Sequence, residues 1–260
     1  MGDIYTHGHH ESVLRSHLWR TAENSASYVL PHLRSGQDLL DVGCGPGTIT
    51  RDLARIVAPG RVLGIDSSAE VIAQASAEGG AEFAVGDAYH LDLKDESFDV
   101  VHVHQVLHHL TDPVGALAEL RRVLRGGGLL AVRETDYGGF FWAPASAALE
   151  RWMELYHLLS ERNGAEADAG RRLPSWVRQA GFEDLTVSSS TWTFAAPEER
   201  AWWGASWADR VRLSAYASQA TEYGLSTDAE LDDLAAAWRE WAEAADSVFV
   251  VPHVEVLAHR

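Results

Sequence analysis

Residues 37–50, Gln-Asp-Leu-Leu-Asp-Val-Gly-Cys-Gly-Pro-Gly-Thr-Ile-Thr, decide how the chain is read. A short apolar run, Leu39, Leu40 and Val42, stops in a turn spaced by the alternate glycines Gly43, Gly45 and Gly47. From Thr48 the apolar residues Ile49, Leu53, Ile56 and Val57 take helical spacing, so the stretch reads as strand, loop, helix. Glycine lets a ligand touch bare main chain, and the free amides of the helix's first turn point back into the loop, where an anionic group fits. A glycine loop with a purely structural role is the bland alternative. A dinucleotide fingerprint, Gly-x-Gly-x-x-Gly, needs its third glycine at position 48, which is Thr48 here.

Downstream, strands and helices alternate. Arg61 to Ile65 is a second apolar run ending in Asp66, about twenty residues past the glycines, where a carboxylate can accept both hydroxyls of a ribose. Ser67-x-x-Glu70 follows with the spacing of a capping box, which by itself accounts for Ser67. Glu82 to Val85 is a third run, ending in Gly86-Asp87-Ala88; a turn Asp beside Gly is common, and an adenine amine is the sharper use for it. Phe98 to Val103 is a fourth, followed by His104-Gln105 and a short helical turn through Leu107-His108-His109-Leu110. Asp112-Pro113 opens a helix with the buried stripe Ala116, Leu117, Leu120, Val123 and Leu124, and Gly126-Gly127-Gly128 is expected to end it. Leu129 to Val132 is the fifth strand, with Glu134 and Tyr137 beyond it. Right-handed crossovers then give a parallel sheet with helices on both faces, an α/β doubly wound fold, with Asp41, Asp66, Asp87, Gln105 and Glu134 along one edge.

Composition narrows the partners. The chain has 260 residues, 46% of them hydrophobic, enough for one α/β domain with an elaboration. A formal net charge of -17, with Lys94 as the sole lysine, repels a phosphate backbone, so nucleic acid is an unfavourable partner. Cys44 is the only cysteine, which excludes an internal disulfide and a cysteine-built zinc site. No apolar run approaches the roughly 20 residues of a membrane span, and a cytoplasmic protein without a membrane partner is expected. A homodimer is compatible with these features. His7, His9 and His10 lack the spacing of a metal site, and no metal is expected.

The whole series, Asp41 to Gly47, Gly64-Ile65-Asp66, Gly86-Asp87-Ala88, Ser97-Phe98-Asp99-Val100-Val101, Leu107-His108-His109-Leu110 and Arg122 to Gly128, resembles the motifs of class I S-adenosylmethionine (SAM) dependent methyltransferases. Within that class it is most similar to the ubiquinone/menaquinone-biosynthesis C-methyltransferase-like group, over roughly residues 37 to 136. The resemblance implies a mainly parallel seven-stranded sheet, SAM as cofactor and a small-molecule methyl acceptor. It also implies that Gly43 and Gly45 approach the methionine part, Asp66 holds the ribose, Asp87 and Ala88 meet the adenine, and Gln105 lies near the methionine. Asp41, Cys44, Ser67 and Arg20 complete the expected cofactor-binding set. Arg125 stands where relatives often carry Lys-Pro, a departure at a helix end.

Four segments are expected. Residues 1–36 form an N-terminal helical cap, with apolar Leu14, Leu18, Ala22, Ala26, Val29, Leu30 and Leu33 on one helix or a bent pair and Trp19 and Arg20 mid-helix. Residues 37–196 form the SAM-binding core, 197–246 a helical lid insert rich in tryptophan, and 247–260 the last strand of the sheet. Most of the insert's aromatic residues read as packing. Tyr5, Tyr137 and Trp142, the last in an aromatic loop from Gly138 to Pro144, are substrate-binding candidates. If the acceptor must lose a proton, His108, His104 and Glu134 are the candidate bases by position, although a hydrogen-bonded core histidine is the simpler reading of either His. The acidic, aromatic composition suggests a flat, neutral or cationic acceptor. Two other classes stand beside methyl transfer: a SAM-binding sensor or non-catalytic subunit, and an NAD(P)-dependent oxidoreductase.

Overall fold

The structure, a computed structural model, describes Asp3, Thr6 and residues 16–260. Tyr5 and the His7, His9 and His10 group therefore lie outside the described residues. Five parallel strands, β1 (Leu39–Val42), β2 (Val62–Asp66), β3 (Glu82–Val85), β4 (Phe98–His104) and β5 (Leu124–Thr135), stand in the order β3-β2-β1-β4-β5. Strand order reverses direction at β1, which pairs β2 on one side and β4 on the other, so a crevice opens beyond their carboxyl ends. The sheet is finished by antiparallel strands. β8 (Val248–His259) pairs β5 through Leu129↔His259 to Thr135↔His253, and β7 (Leu185–Phe194) pairs the other side of β8. A three-residue strand, β6 (Phe141–Ala143), carries on against β8 where β5 stops. It raises the expected seven strands to eight and turns the middle of the anticipated aromatic loop, Phe141 to Ala143, into sheet.

The helices are α1 (Ala22–Ser25), α2 (Thr48–Val57), α3 (Ala69–Glu78), α4 (Pro113–Val123), α5 (Ala147–Arg162), α6 (Ala169–Gln179), α7 (Pro197–Leu213), α8 (Ala215–Glu222) and α9 (Asp228–Glu243). One face of the sheet buries Leu40, Ile65, Val101 and Val132 against α4 and α6. The opposite face buries Leu39, Val100 and Ala131 against α2 and the N-terminal residues Ala22, Ala26 and Val29. A third core gathers α5, α7, α8 and α9 around Trp152, Trp207, Trp238 and Phe249, which are at most 1% exposed.

Several boundaries differ from the sequence reading. The N-terminal stretch is not one helix: residues 16–18 are helical, the chain breaks at Arg20 and Thr21, and α1 starts anew with a Thr21–Asn24 capping box. Trp19 and Arg20 thus sit at a break, where their side chains can turn inward. The cap of α3 is Ser68, whose hydroxyl accepts the Val71 amide at 3.3 Å, so Ser67 is not the capping residue. Gly126 to Gly128 do not close α4, which ends at Val123; they lie in the irregular start of β5, inside the shift in register between the pairs Phe98↔Leu124 and Val100↔Leu129. Arg125 accordingly lies in a strand, where it bridges Asp38 and Asp99 at 2.9 and 2.7 Å.

Candidate cofactor and acceptor site

A cavity of about 700 Å³ opens beyond the carboxyl ends of β1, β2, β3 and β4. At one end it is bordered by the glycine turn, Asp66, Ser67, Asp87 and Ala88. At the other end it is bordered by Trp19 and Arg20 from the N-terminal break, Trp192 of β7 and Trp202, Trp203 and Trp207 of α7.

The glycine turn is fastened to the next strand. The Gly43 and Cys44 amides both donate to the Ile65 carbonyl, at 2.8 and 2.9 Å. Gly43 has φ +69°, and a Cβ there would meet Val106 Cγ2, so the position admits only a bare main chain. The Asp66 carboxylate accepts the Gly45 amide on one oxygen at 3.1 Å and the Ser68 amide on the other at 3.0 Å. A carboxylate has about four lone-pair sites, so each oxygen keeps capacity for a hydroxyl from the cavity. Asp87 accepts the Tyr89 amide at 2.9 Å and is otherwise largely exposed at the rim.

Asp41 borders the cavity, with its carboxylate engaged inside the protein. It is buried, with one oxygen taking the Thr50 hydroxyl at 2.5 Å and the other within 2.7 Å of His102 Nδ1. Its carboxylate braces β1 against α2 and β4. Burial also pushes the Cys44 thiol far above its ordinary value, so the sulfur stays protonated.

Gln105 adopts φ +55° at the end of β4. Its Oε1 accepts Arg20 Nη2 at 2.8 Å, and its Nε2 lies 2.7 Å from His253 Nε2. Because arginine only donates, the amide donates to His253, whose Nε2 must carry a lone pair. Burial, reinforced by Arg133 and Arg20, holds the His253 pKa well below that of a free histidine, in keeping with the neutral ring. Arg20 also lies over the Trp192 ring, 5.5 Å from its centroid.

Glu134 is fully buried and engaged on both oxygens. Oε1 accepts the Val106 and Leu107 amides at 2.8 and 2.7 Å, and Oε2 is 2.7 Å from His108 Nδ1. That arrangement corrects the reading of Glu134 as a free base, because its lone pairs hold the turn Leu107–His109 and orient His108. His108 borders the cavity with Nδ1 committed to Glu134, which leaves Nε2 for a ligand. His104 is 5% exposed and borders the cavity, with neither ring nitrogen meeting a protein partner.

Of the substrate candidates, Tyr137 borders the cavity and stacks on Tyr156 with ring centroids 3.8 Å apart. Trp142 is not among the bordering residues; it stacks on Phe249 in the third core, which β6 pulls it into. Sequence reasoning missed Trp192, Trp202, Trp203, Trp207 and Arg210 as site residues. Trp203 and Trp207 each serve both core and cavity, so helical spacing gave no means of separating the roles. Among the described residues there is no group of His, Cys, Asp and Glu that could hold a metal ion, and no helix long and apolar enough to cross a membrane.

The family model described as a methyltransferase domain matches residues 40–132, the segment that builds the glycine turn and the acidic strand ends. An uncharacterized methyltransferase of Schizosaccharomyces pombe is 31% identical over 97% of this chain and 95% of its own length. The chain belongs to the class I SAM-dependent methyltransferases. A demethylmenaquinone methyltransferase of Lactiplantibacillus plantarum is 38% identical over 40% of this chain and 48% of its own length. A phosphoethanolamine N-methyltransferase 2 of Haemonchus contortus, solved with S-adenosylhomocysteine, shares the fold with a TM-score of 0.57 at 18% identity, over 92% of this chain and 53% of that one. SAM is the cofactor of this methyltransferase.

Proposed function

We propose that the chain transfers the methyl group of SAM to an oxygen, nitrogen or carbon nucleophile of a small molecule held in the aromatic end of the cavity. The observation carrying this reading is that a single cavity joins the glycine turn and Asp66 to a chamber walled by Trp192, Trp202 and Trp203. A SAM-binding sensor needs no second chamber, and nothing in the glycine turn favours a nicotinamide.

In this reading Asp66 takes the ribose hydroxyls, Asp87 and Ala88 the adenine, and the main chain of Gly43, Cys44 and Gly45 the methionine part, with Arg20 placed beside its carboxylate. Ser67 borders the ribose end, and Gln105 acts by fixing Arg20. The bound cofactor supplies an already activated methyl group, so the chain's own work is alignment and removal of a proton. If His108 Nδ1–H donates to Glu134, the Nε2 lone pair is free to take a proton from the acceptor. Glu134 acts through His108. Tyr137, Trp202 and Trp203 flank the acceptor and keep water from it. The N-terminal segment 1–36 and the insert 197–246 are assigned the cap and lid roles over the core 37–196, which the last strand, 247–260, completes. A cytoplasmic location and the absence of a nucleic-acid partner belong to the same reading.

The test is a thermal shift with SAM, S-adenosylhomocysteine and NAD, followed by mass spectrometry of a cellular extract incubated with methyl-labelled SAM. Stabilisation by the first two ligands and label in a small molecule are expected. Stabilisation by NAD alone would reject the assignment.

A further inference from the structure

The floor of the acceptor chamber is an unusual piece of sheet. Strand register puts His104 of β4 opposite Arg133 of β5, with Thr135 two residues along the same face and opposite His253 of β8. Arg133 is 1% exposed, ion-paired to Glu255 at 3.3 Å, and lies 4.9 Å over the Trp192 ring. Burial lowers its pKa to about 10, which still leaves it charged at neutral pH. His104 and Thr135 are 5% and 2% exposed, both border the cavity, and no polar atom of either side chain has a protein partner. Buried polar groups are rarely left so, since each costs the desolvation of a lost hydrogen bond. Two such groups in a diagonal relation across neighbouring strands of a cavity floor are what a polar ligand would satisfy.

We propose that His104 and Thr135 form the acceptor-recognition pair, and that they take the hydroxyl and adjacent carbonyl of a flat, uncharged hydroxy-ketone. The proposal rests on the methyl-transfer reading of the same cavity and narrows it. The pair's chemistry sets the class. A neutral imidazole offers one N–H and one lone pair, and a threonine hydroxyl offers one O–H and its own lone pairs; a hydroxyl beside a carbonyl supplies one donor and two acceptors to match them. Burial, with Arg20, Arg133 and His253 close by, keeps His104 neutral. The tryptophan walls favour a flat ring system over an aliphatic chain. Arg20 at the cavity border and the buried Arg133, which is paired with Glu255, both lie over the Trp192 ring and so already occupy the cation-binding faces that an ammonium ion would seek there, which favours an uncharged acceptor.

The experiment is isothermal titration calorimetry of the full chain, with and without S-adenosylhomocysteine, using three probes: 3-hydroxychromone, chromone and tryptamine. The wild-type chain is expected to bind 3-hydroxychromone about tenfold more tightly than chromone, and tryptamine no better than chromone. His104→Phe and the near-isosteric Thr135→Val should each bring the first two probes within about twofold of each other, while His104→Gln, which keeps a donor and an acceptor, retains the preference. Equal affinity for the two chromones in the wild type, tighter binding of tryptamine, or a preference that survives both His104→Phe and Thr135→Val overturns the proposal. Failure to bind S-adenosylhomocysteine with the chromone preference intact would instead reject methyl transfer and leave the recognition pair standing.

Discussion

A Cβ built on Gly43 would run into Val106 Cγ2, so the first glycine of the turn is packed directly against the residue that follows Gln105. The turn of β1 and the turn of β4 are fitted to each other across the crevice. Gly43→Ala must both move Val106 and hold alanine at φ +69°. A loss of about 1–3 kcal/mol is expected in urea unfolding, together with weaker SAM binding. Adding Val106→Ala relieves the clash and should restore part of the stability. An additive double mutant would show that the contact does not matter.

Asp66 holds two main-chain amides with its two oxygens. Asp66→Ala is therefore expected to weaken SAM at least tenfold, measured by calorimetry, and to lower the melting temperature of the ligand-free chain as well. Asp66→Asn separates the two effects. Its remaining carbonyl can keep one amide, so stability recovers more than affinity does.

Glu134 and His108 are expected to act as one unit. Glu134→Gln replaces one acceptor oxygen by an NH₂ group facing either the two amides of the turn or His108 Nδ1. Once an acceptor is in hand, kcat should fall by about 10²–10⁴ in Glu134→Gln and in His108→Asn, with the double mutant no worse than the poorer single one. SAM affinity within about threefold of wild type would accompany that loss. Independent, multiplicative losses would separate the two residues.

Acid should unfold this protein through its buried histidines. Burial depresses the pKa of both His104 and His253, so the folded chain binds fewer protons than the unfolded chain once the pH falls below the ordinary histidine value of about 6.5. Their contribution is complete above that pH and declines as the pH drops toward the folded-state values. Each contributes a slope of up to about 1.4 kcal/mol per pH unit. Melting temperatures between pH 7.5 and 5 should fall steeply in the wild type and less steeply in His104→Phe. Parallel curves would contradict the assignment.

Sequence made the first four strands readable because each is a short apolar run that stops at an acid, a glycine or a polar pair, and each forms close to its expected bounds. The capping residue of α3 slipped by one place because Ser67 and Ser68 offer the same hydroxyl, and only backbone geometry selects Ser68. Trp142 was drawn away from the cavity by a three-residue strand too brief to show periodicity. Asp41 reads like the other acids at strand ends, and only the positions of Thr50 and His102 reveal that its charge is spent internally. The chamber floor escaped for a related reason. His104, Thr135 and His253 are far apart in the chain, and their adjacency is created by the β4-β5-β8 register.

The stem formed by β7 and β8 pairs continuously from Leu185↔Ala258 to Phe194↔Phe249, and α7, α8 and α9 leave and return through that one end. The helical segment is thus topologically a hairpin tip. Swapping it for another length of polypeptide leaves every parallel ladder, the nucleoside half of the crevice and the Glu134–His108 couple untouched. Exchanging that tip would rebuild the Trp202 and Trp203 wall of the chamber while His104 and Thr135 on its floor stay where the sheet holds them.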